Sequence, residues 1–123
     1  MLTPDFTFLY VDSAPTSAAF YARLMGVEPM ESSPNFAMFK FPNGQRFGVW
    51  ARSDVQPAPT TPPGGAEYAF MVQGDDAVRA LHADWQSKGI DIIQSPEAKE
   101  FGFTFTARDP DGHRLRVFSP GAE

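Results

Sequence analysis

The sequence predicts an α+β protein built as two successive β-α-β-β-β modules. Three observations carry that expectation. Apolar spacing switches between the strand period and the helix period in the same order twice. A stretch rich in Pro and Gly, residues 53–65, separates the two series. Finally, "FPNGQRFGVW" (41–50) lies over "DPDGHRLRVF" (109–118) without a gap.

"DFTFLYV" is dense in β-branched and aromatic residues and reads as the first strand. "DSAPTSAAFYARLMG" reads as a helix. Asp12 or Ser13 offers an N-cap, Pro15 suits the first turn, and Gly26 suits a left-handed C-terminal position. Phe20 with Leu24, and Tyr21 with Met25, stand four apart and supply an apolar side. "EPMES", "NFAMFKF" and "QRFGVWA" read as three short strands, the last two joined by the turn signal "PNG".

"SDVQPAPTTPPGG" holds four Pro and two Gly without apolar periodicity and reads as a stiff linker. "AEYAFMVQ" is then a strand and "GDDAVRALHADWQSKG" a helix, with Val78, Leu81 and Trp85 as a buried stripe and Lys88-Gly89 as its stop. "IDIIQ", "FTFTAR" and "HRLRVFS" close the chain as three strands, with "DPDG" as the last turn. The expected organisation is one domain over 1–123, with module one at 1–52, the linker at 53–65 and module two at 66–123.

The local match pairs Pro42 with Pro110, Gly44 with Gly112, Arg46 with Arg114, Val49 with Val117 and Trp50 with Phe118. Together with the repeated element order, it indicates a duplicated module. His113 aligns with Gln45, so the histidine follows a turn that exists in both halves. Asp109 and Asp111 can bond nearby backbone amides, and His113 is assigned to the turn rather than to chemistry.

The totals narrow the function. At 123 residues and 42% hydrophobic composition, the chain can bury a core. A net charge of -5 gives no footprint for nucleic acid. The absence of Cys excludes disulfides, thiolate catalysis and zinc-thiolate sites. "MLTPDFTFLY" lacks a basic segment followed by an apolar run, and no apolar stretch approaches the roughly 20 residues of a membrane span. A cytoplasmic protein without membrane partners is expected. Twelve Phe and two Trp are a heavy aromatic load, and some of these rings are expected to line a pocket.

The tandem modules, carried by "VDSAPTSAAFYARLMG" and "DPDGHRLRVF", resemble the vicinal-oxygen-chelate superfamily. That group includes glyoxalase I, extradiol dioxygenases, fosfomycin-resistance enzymes and bleomycin-resistance proteins. "FLYVDSAPTSAAFY", "FGVW", "FGFTFTARDPDGHRLRV" and the Pro-rich linker look most similar to its antibiotic-binding branch, the phenazine-resistance type. The resemblance implies a curled mixed sheet with a cleft, a homodimer, and capture of planar aromatic drugs without catalysis.

Metal-using members carry ligands on the first and last strands of each module. Those positions fall here on Phe6, Gly48, Glu67 and Arg116. A divalent metal needs about three converging N or O donors. Glu67 alone donates, and Arg116 is a permanent cation. No metal and no other cofactor is therefore expected. Glu67 and Arg116 are expected either to form an ion pair in place of the metal or to reach solvent separately at the cleft rim.

Strand parity sorts the remaining side chains. Phe6, Phe8 and Tyr10 share the cleft face, as do Phe36 and Met38, Gly48 and Trp50, Glu67, Ala69 and Met71, Thr104 and Thr106, and Arg114, Arg116 and Phe118. Phe20, Phe47, Tyr68, Phe70, Phe103, Phe105 and Trp85 are assigned to the core. Gly48 is expected to open a slot beside Phe6, Trp50 to stack on a ligand, Phe101 to act as a lid or to stand as a surface aromatic, and Arg116 to receive a ligand carboxylate. The candidate ligand-binding set is thus Phe6, Phe8, Tyr10, Met38, Gly48, Trp50, Glu67, Phe101, Thr106, Arg116 and Phe118, with a planar aromatic small molecule as partner. The alternative is a glyoxalase-like lyase or isomerase, or a dioxygenase, with a ligand set unlike the family's or with Glu67 as acid or base.

Overall fold

The computed structural model describes residues 1–121. The last two residues of the expected second module lie outside this range. The chain divides into two compact units, Met1–Pro63 and a second that begins at Gly64.

The first unit contains β1 (Phe6–Val11), α1 (Ala14–Met25), β2 (Glu31–Ser32), β3 (Phe36–Lys40), β4 (Arg46–Ala51) and a 3-10 turn over Arg52–Asp54. Its sheet runs β1-β4-β3-β2. β1 and β4 are parallel, and the other pairs are antiparallel. Ser13 is the N-cap of α1, its Oγ accepting from the Thr16 N–H at 3.3 Å. Gly26 closes the helix at φ 67°, donating to the Ala22 carbonyl. The helix buries Ala14, Ser17, Ala18, Tyr21 and Leu24. Tyr21 leads this stripe and meets Phe47 edge-on at 4.9 Å, while Phe20 is only half-buried. Leu9, Val11, Phe39, Phe47 and Val49 complete the core.

The second unit contains β5 (Glu67–Met71), α2 (Asp75–Ser87), β6 (Asp91–Lys99), β7 (Gly102–Arg108) and β8 (Arg114–Pro120). Its sheet order, β5-β8-β7-β6, repeats the first, again with one parallel pair. Gly74 caps α2 and donates its N–H to Ser119 Oγ at 3.0 Å. Val78 and Trp85 are buried, Trp85 meeting Phe105 edge-on at 5.1 Å, and Leu81 is half-buried. In both α2 and α1 the apolar stripe faces the sheet, so each sheet is left with one uncovered face.

The matched turns share their backbone bonds. Phe41 N–H donates to Gln45 O, and Gly44 N–H to Phe41 O. In the second unit Asp109 N–H donates to His113 O, and Gly112 N–H to Asp109 O. Gly44 and Gly112 sit at φ 89° and 88°, a region that suits glycine. The duplication read from the sequence is thus a duplication of structure.

Two strands differ from expectation. "EPMES" contributes only Glu31–Ser32, since Pro29 has no N–H to add to an edge ladder. β6 runs five residues beyond Gln94 at its C-terminal end, through Pro96, with register shifts between Ile92 and Gln94 and between Gln94 and Glu97. It is an edge strand, where a proline and irregular pairing are tolerated. Among the described residues no helix is long and apolar enough to cross a membrane.

Candidate ligand-binding site

In the first unit the register sets three cross-strand rows on the uncovered sheet face. They are Phe6·Arg46·Lys40, Phe8·Gly48·Met38 and Tyr10·Trp50·Phe36. Phe6, Phe8 and Tyr10 are 43%, 41% and 39% exposed, whereas Leu9 and Val11 on the opposite face are buried. Phe6 and Phe8 stack at 5.6 Å with planes 13° apart. Trp50 meets Phe8, Tyr10 and Phe36 edge-on, at 5.9, 6.3 and 6.0 Å. The rings therefore brace one another and leave faces and edges available for a further ring.

Gly48 stands opposite Phe8, not Phe6. A Cβ there would lie 2.8 Å from Phe8 Cδ1 and 3.1 Å from Phe36 Cε1. The expected slot is thus filled by two rings closing over the glycine. Met38 is buried in the same row and supports the platform instead of presenting a surface. Trp50 donates its indole N–H to Asp54 Oδ2 at 3.0 Å. This partner comes from the 3-10 turn after β4, which no local signal in the sequence announces.

In the second unit Glu67, Arg116, Phe118 and Phe101 lie on or beside the uncovered face. Arg116 Nε donates to Glu67 Oε2 at 3.0 Å, and Nη2 to Glu67 Oε1 at 3.3 Å. Its Nη1 donates to Gln94 Oε1 and Thr104 Oγ1, both at 3.3 Å. The expected ion pair is present. The expected use of Arg116 as a carboxylate receptor is corrected, because Glu67 already occupies its two-pronged edge. Thr106 is also corrected: it is 1% exposed, and its hydroxyl donates to Gln94 Oε1 at 2.6 Å. Thr104 is fully buried and donates to the Val117 carbonyl. Gln94, absent from the candidate set, joins both threonine and arginine groups; parity alone does not single it out.

Phe101 is 49% exposed in the β6–β7 turn and meets Phe118 edge-on at 6.0 Å, with the Arg116 guanidinium 5.8 Å from its centre. The turn depends on Gly102, at φ 143°, where a Cβ would fall 1.9 Å from the Ser119 carbonyl. His113 is buried in its turn, its N–H donating to Asp109 Oδ1 and its Nδ1 accepting from the Gly64 N–H at 3.3 Å. A separate groove of about 440 Å³, lined by Gln73, Gly74, Lys99, Phe103 and Ser119 among others, contains none of the candidate residues.

The four positions that the family resemblance assigns to metal ligands do not suit a divalent metal. Of the four ligand positions Phe6 and Gly48 donate nothing, Arg116 is cationic, and both Glu67 oxygens accept from that cation. Among the described residues no three His, Cys, Asp or Glu side chains cluster as a metal site.

Repeated β-α-β-β-β units with parallel outer pairs and one uncovered face per sheet define a fold class that comparison identifies. The model of the Glyoxalase/Bleomycin resistance protein/Dioxygenase superfamily matches residues 3–117, and the chain belongs to that superfamily. It is 29% identical over 119 residues to the phenazine antibiotic resistance protein EhpR of Enterobacter agglomerans, covering 94% of this chain and 91% of that one. An Agrobacterium tumefaciens protein known from solution NMR is 48% identical, with a TM-score of 0.89 over 99% of this chain and 100% of its own. A glyoxalase-related enzyme from Fulvimarina pelagi shares the fold at a TM-score of 0.83 and 22% identity, covering 97% of this chain and 88% of that one.

Proposed function

We propose that the chain captures a planar aromatic small molecule on the aromatic face of its first unit, holding it without chemical change. The observation that carries this is the set of solvent-facing rings Phe6, Phe8 and Tyr10, braced by Trp50 on a face no helix covers. Each added stacking contact contributes about 0.5–1.5 kcal/mol beyond area burial. Similarity to a phenazine antibiotic resistance protein supports a resistance role by sequestration. A homodimer is part of the reading, since an exposed aromatic face of this kind also suits a subunit interface. Light scattering that returns a monomer mass overturns the homodimer.

The lyase, isomerase or dioxygenase alternative has no comparable support. Glu67, the base it would use, has both oxygens engaged by Arg116.

The test is titration of intrinsic fluorescence with phenazine. Trp85 is buried and Trp50 half-buried on the open face, so static quenching reports mainly on Trp50. Saturable quenching abolished in Trp50→Ala supports capture on this face. Saturable quenching unchanged in that variant places the site elsewhere.

A further inference from the structure

We infer that the compound taken by this face is an aromatic anion, and that Arg46 reads its negative charge. The inference rests on the capture reading and adds the ligand's charge class and the residue that selects it. Arg46 lies in the first cross-strand row, between Phe6 and Lys40. Its guanidinium carbon stands 5.2 Å from the centre of the Phe6 ring. The side chain is half-buried, and its Nε is buried without a hydrogen-bond partner among the described residues.

Neither Arg46 nor Lys40 has an ion pair among the described residues, although the chain carries 15 acidic against 10 basic side chains. Asp5, whose backbone carbonyl accepts the Arg46 N–H at 3.0 Å, makes no ion pair with it, and the next acids lie further along the face. Glu31 lies opposite Met38, one row away, and Asp54 is bound to Trp50 at the far end. Contrast with Arg116 sharpens the point: there the same side chain is saturated by Glu67, Gln94 and Thr104.

A half-buried guanidinium beside an exposed ring, with no ion-pair partner among the described residues, sets a positive charge at the edge of a stacking surface, which suits a planar aromatic oxyanion. Ring and charge are read together: the ligand's rings lie on Phe6, Phe8 and Trp50 while its carboxylate meets Arg46. Arg46 and Trp50 are four residues apart on one strand, about 13 Å, which an extended fused-ring acid can bridge. Lys40, exposed on the neighbouring strand, adds a second positive charge at the same end.

The experiment compares phenazine with phenazine-1-carboxylate by fluorescence titration, using the full chain and Arg46→Gln. The native chain is expected to bind the carboxylate about tenfold or more tighter than the neutral ring, as suits a charge-assisted bond. In Arg46→Gln that preference collapses while phenazine binding persists, and Arg46→Lys restores part of it because the charge returns without the planar guanidinium. Preference in the native chain falls as salt rises. Equal native affinity for the two probes, or a preference that survives Arg46→Gln, overturns the inference and leaves capture standing. Failure of both probes to bind overturns capture as well.

Discussion

Arg116 and Glu67 form a two-pronged ion pair across the parallel β5 and β8 strands, Nε to Oε2 at 3.0 Å and Nη2 to Oε1 at 3.3 Å. These are two of the four positions that the family resemblance assigns to metal ligands. With side chains 20% and 40% exposed, it is neither a solvated surface contact nor a fully desolvated one. Glu67→Gln is expected to lower unfolding stability by about 1 kcal/mol, a value reduced for solvent screening. Urea denaturation measures this, and a midpoint equal to the native one would show that the pair contributes nothing. Dialysis against a chelator is expected to leave phenazine affinity unchanged, because both Glu67 oxygens are engaged by Arg116.

Gly48 lies beneath Phe8 and Phe36, so a methyl group there must push two rings aside. Phe8 is partly exposed and has room to swing outward. Gly48→Ala is therefore expected to cost about 1 kcal/mol or less in stability, at the low end for overpacking. Ligand affinity should fall further, about fivefold, because the platform is tilted. Denaturation and fluorescence titration on the same variant measure the two effects; an affinity equal to that of the native chain would contradict this account.

Asp54 is expected to position Trp50. Losing one neutral-to-charged hydrogen bond at a partly exposed indole should cost Asp54→Ala about 1 kcal/mol of ligand affinity, close to fivefold. Asp54→Asn keeps an acceptor and should lose less. In a Trp50→Phe background the Asp54→Ala change should have no further effect, since the coupled partner is gone. An effect of unchanged size there would assign Asp54 to some other task.

Tyr68 has its phenol pKa raised above 10.0 by burial. The folded state then holds the phenol proton more tightly than the unfolded chain. This contribution is fully present below pH 10 and is lost as pH rises through the folded value. Stability of the native chain should fall more steeply than that of Tyr68→Phe above pH 10. Parallel slopes in urea denaturation across pH 9–11, a range bracketing about 10, would count against that assignment.

Much of the fold was legible because its signals are local. The period of two in Phe6–Val11 and Arg114–Pro120, the Ser13 cap, the Gly26 stop and the Pro-Gly turns each act within a few residues. Parity also placed Phe6, Phe8, Tyr10 and Trp50 on one face, and Glu67 beside Arg116.

Parity states which face a side chain takes, but not what lies over it. Thr106 and Met38 point toward the expected face and are still buried, the first bonded to Gln94 and the second lying beneath the rings. Register is set by hydrogen bonds between residues far apart in the chain, so Gly48's partnership with Phe8, and the pairing of Arg46 with Phe6 and Lys40, needed the folded sheet. The sequence by itself determined the duplicated α+β modules, their caps and turns, and the aromatic content of the open face. Only tertiary structure decided which arginine is saturated and which is left with an unmet donor, because that depends on side chains brought together from separate strands.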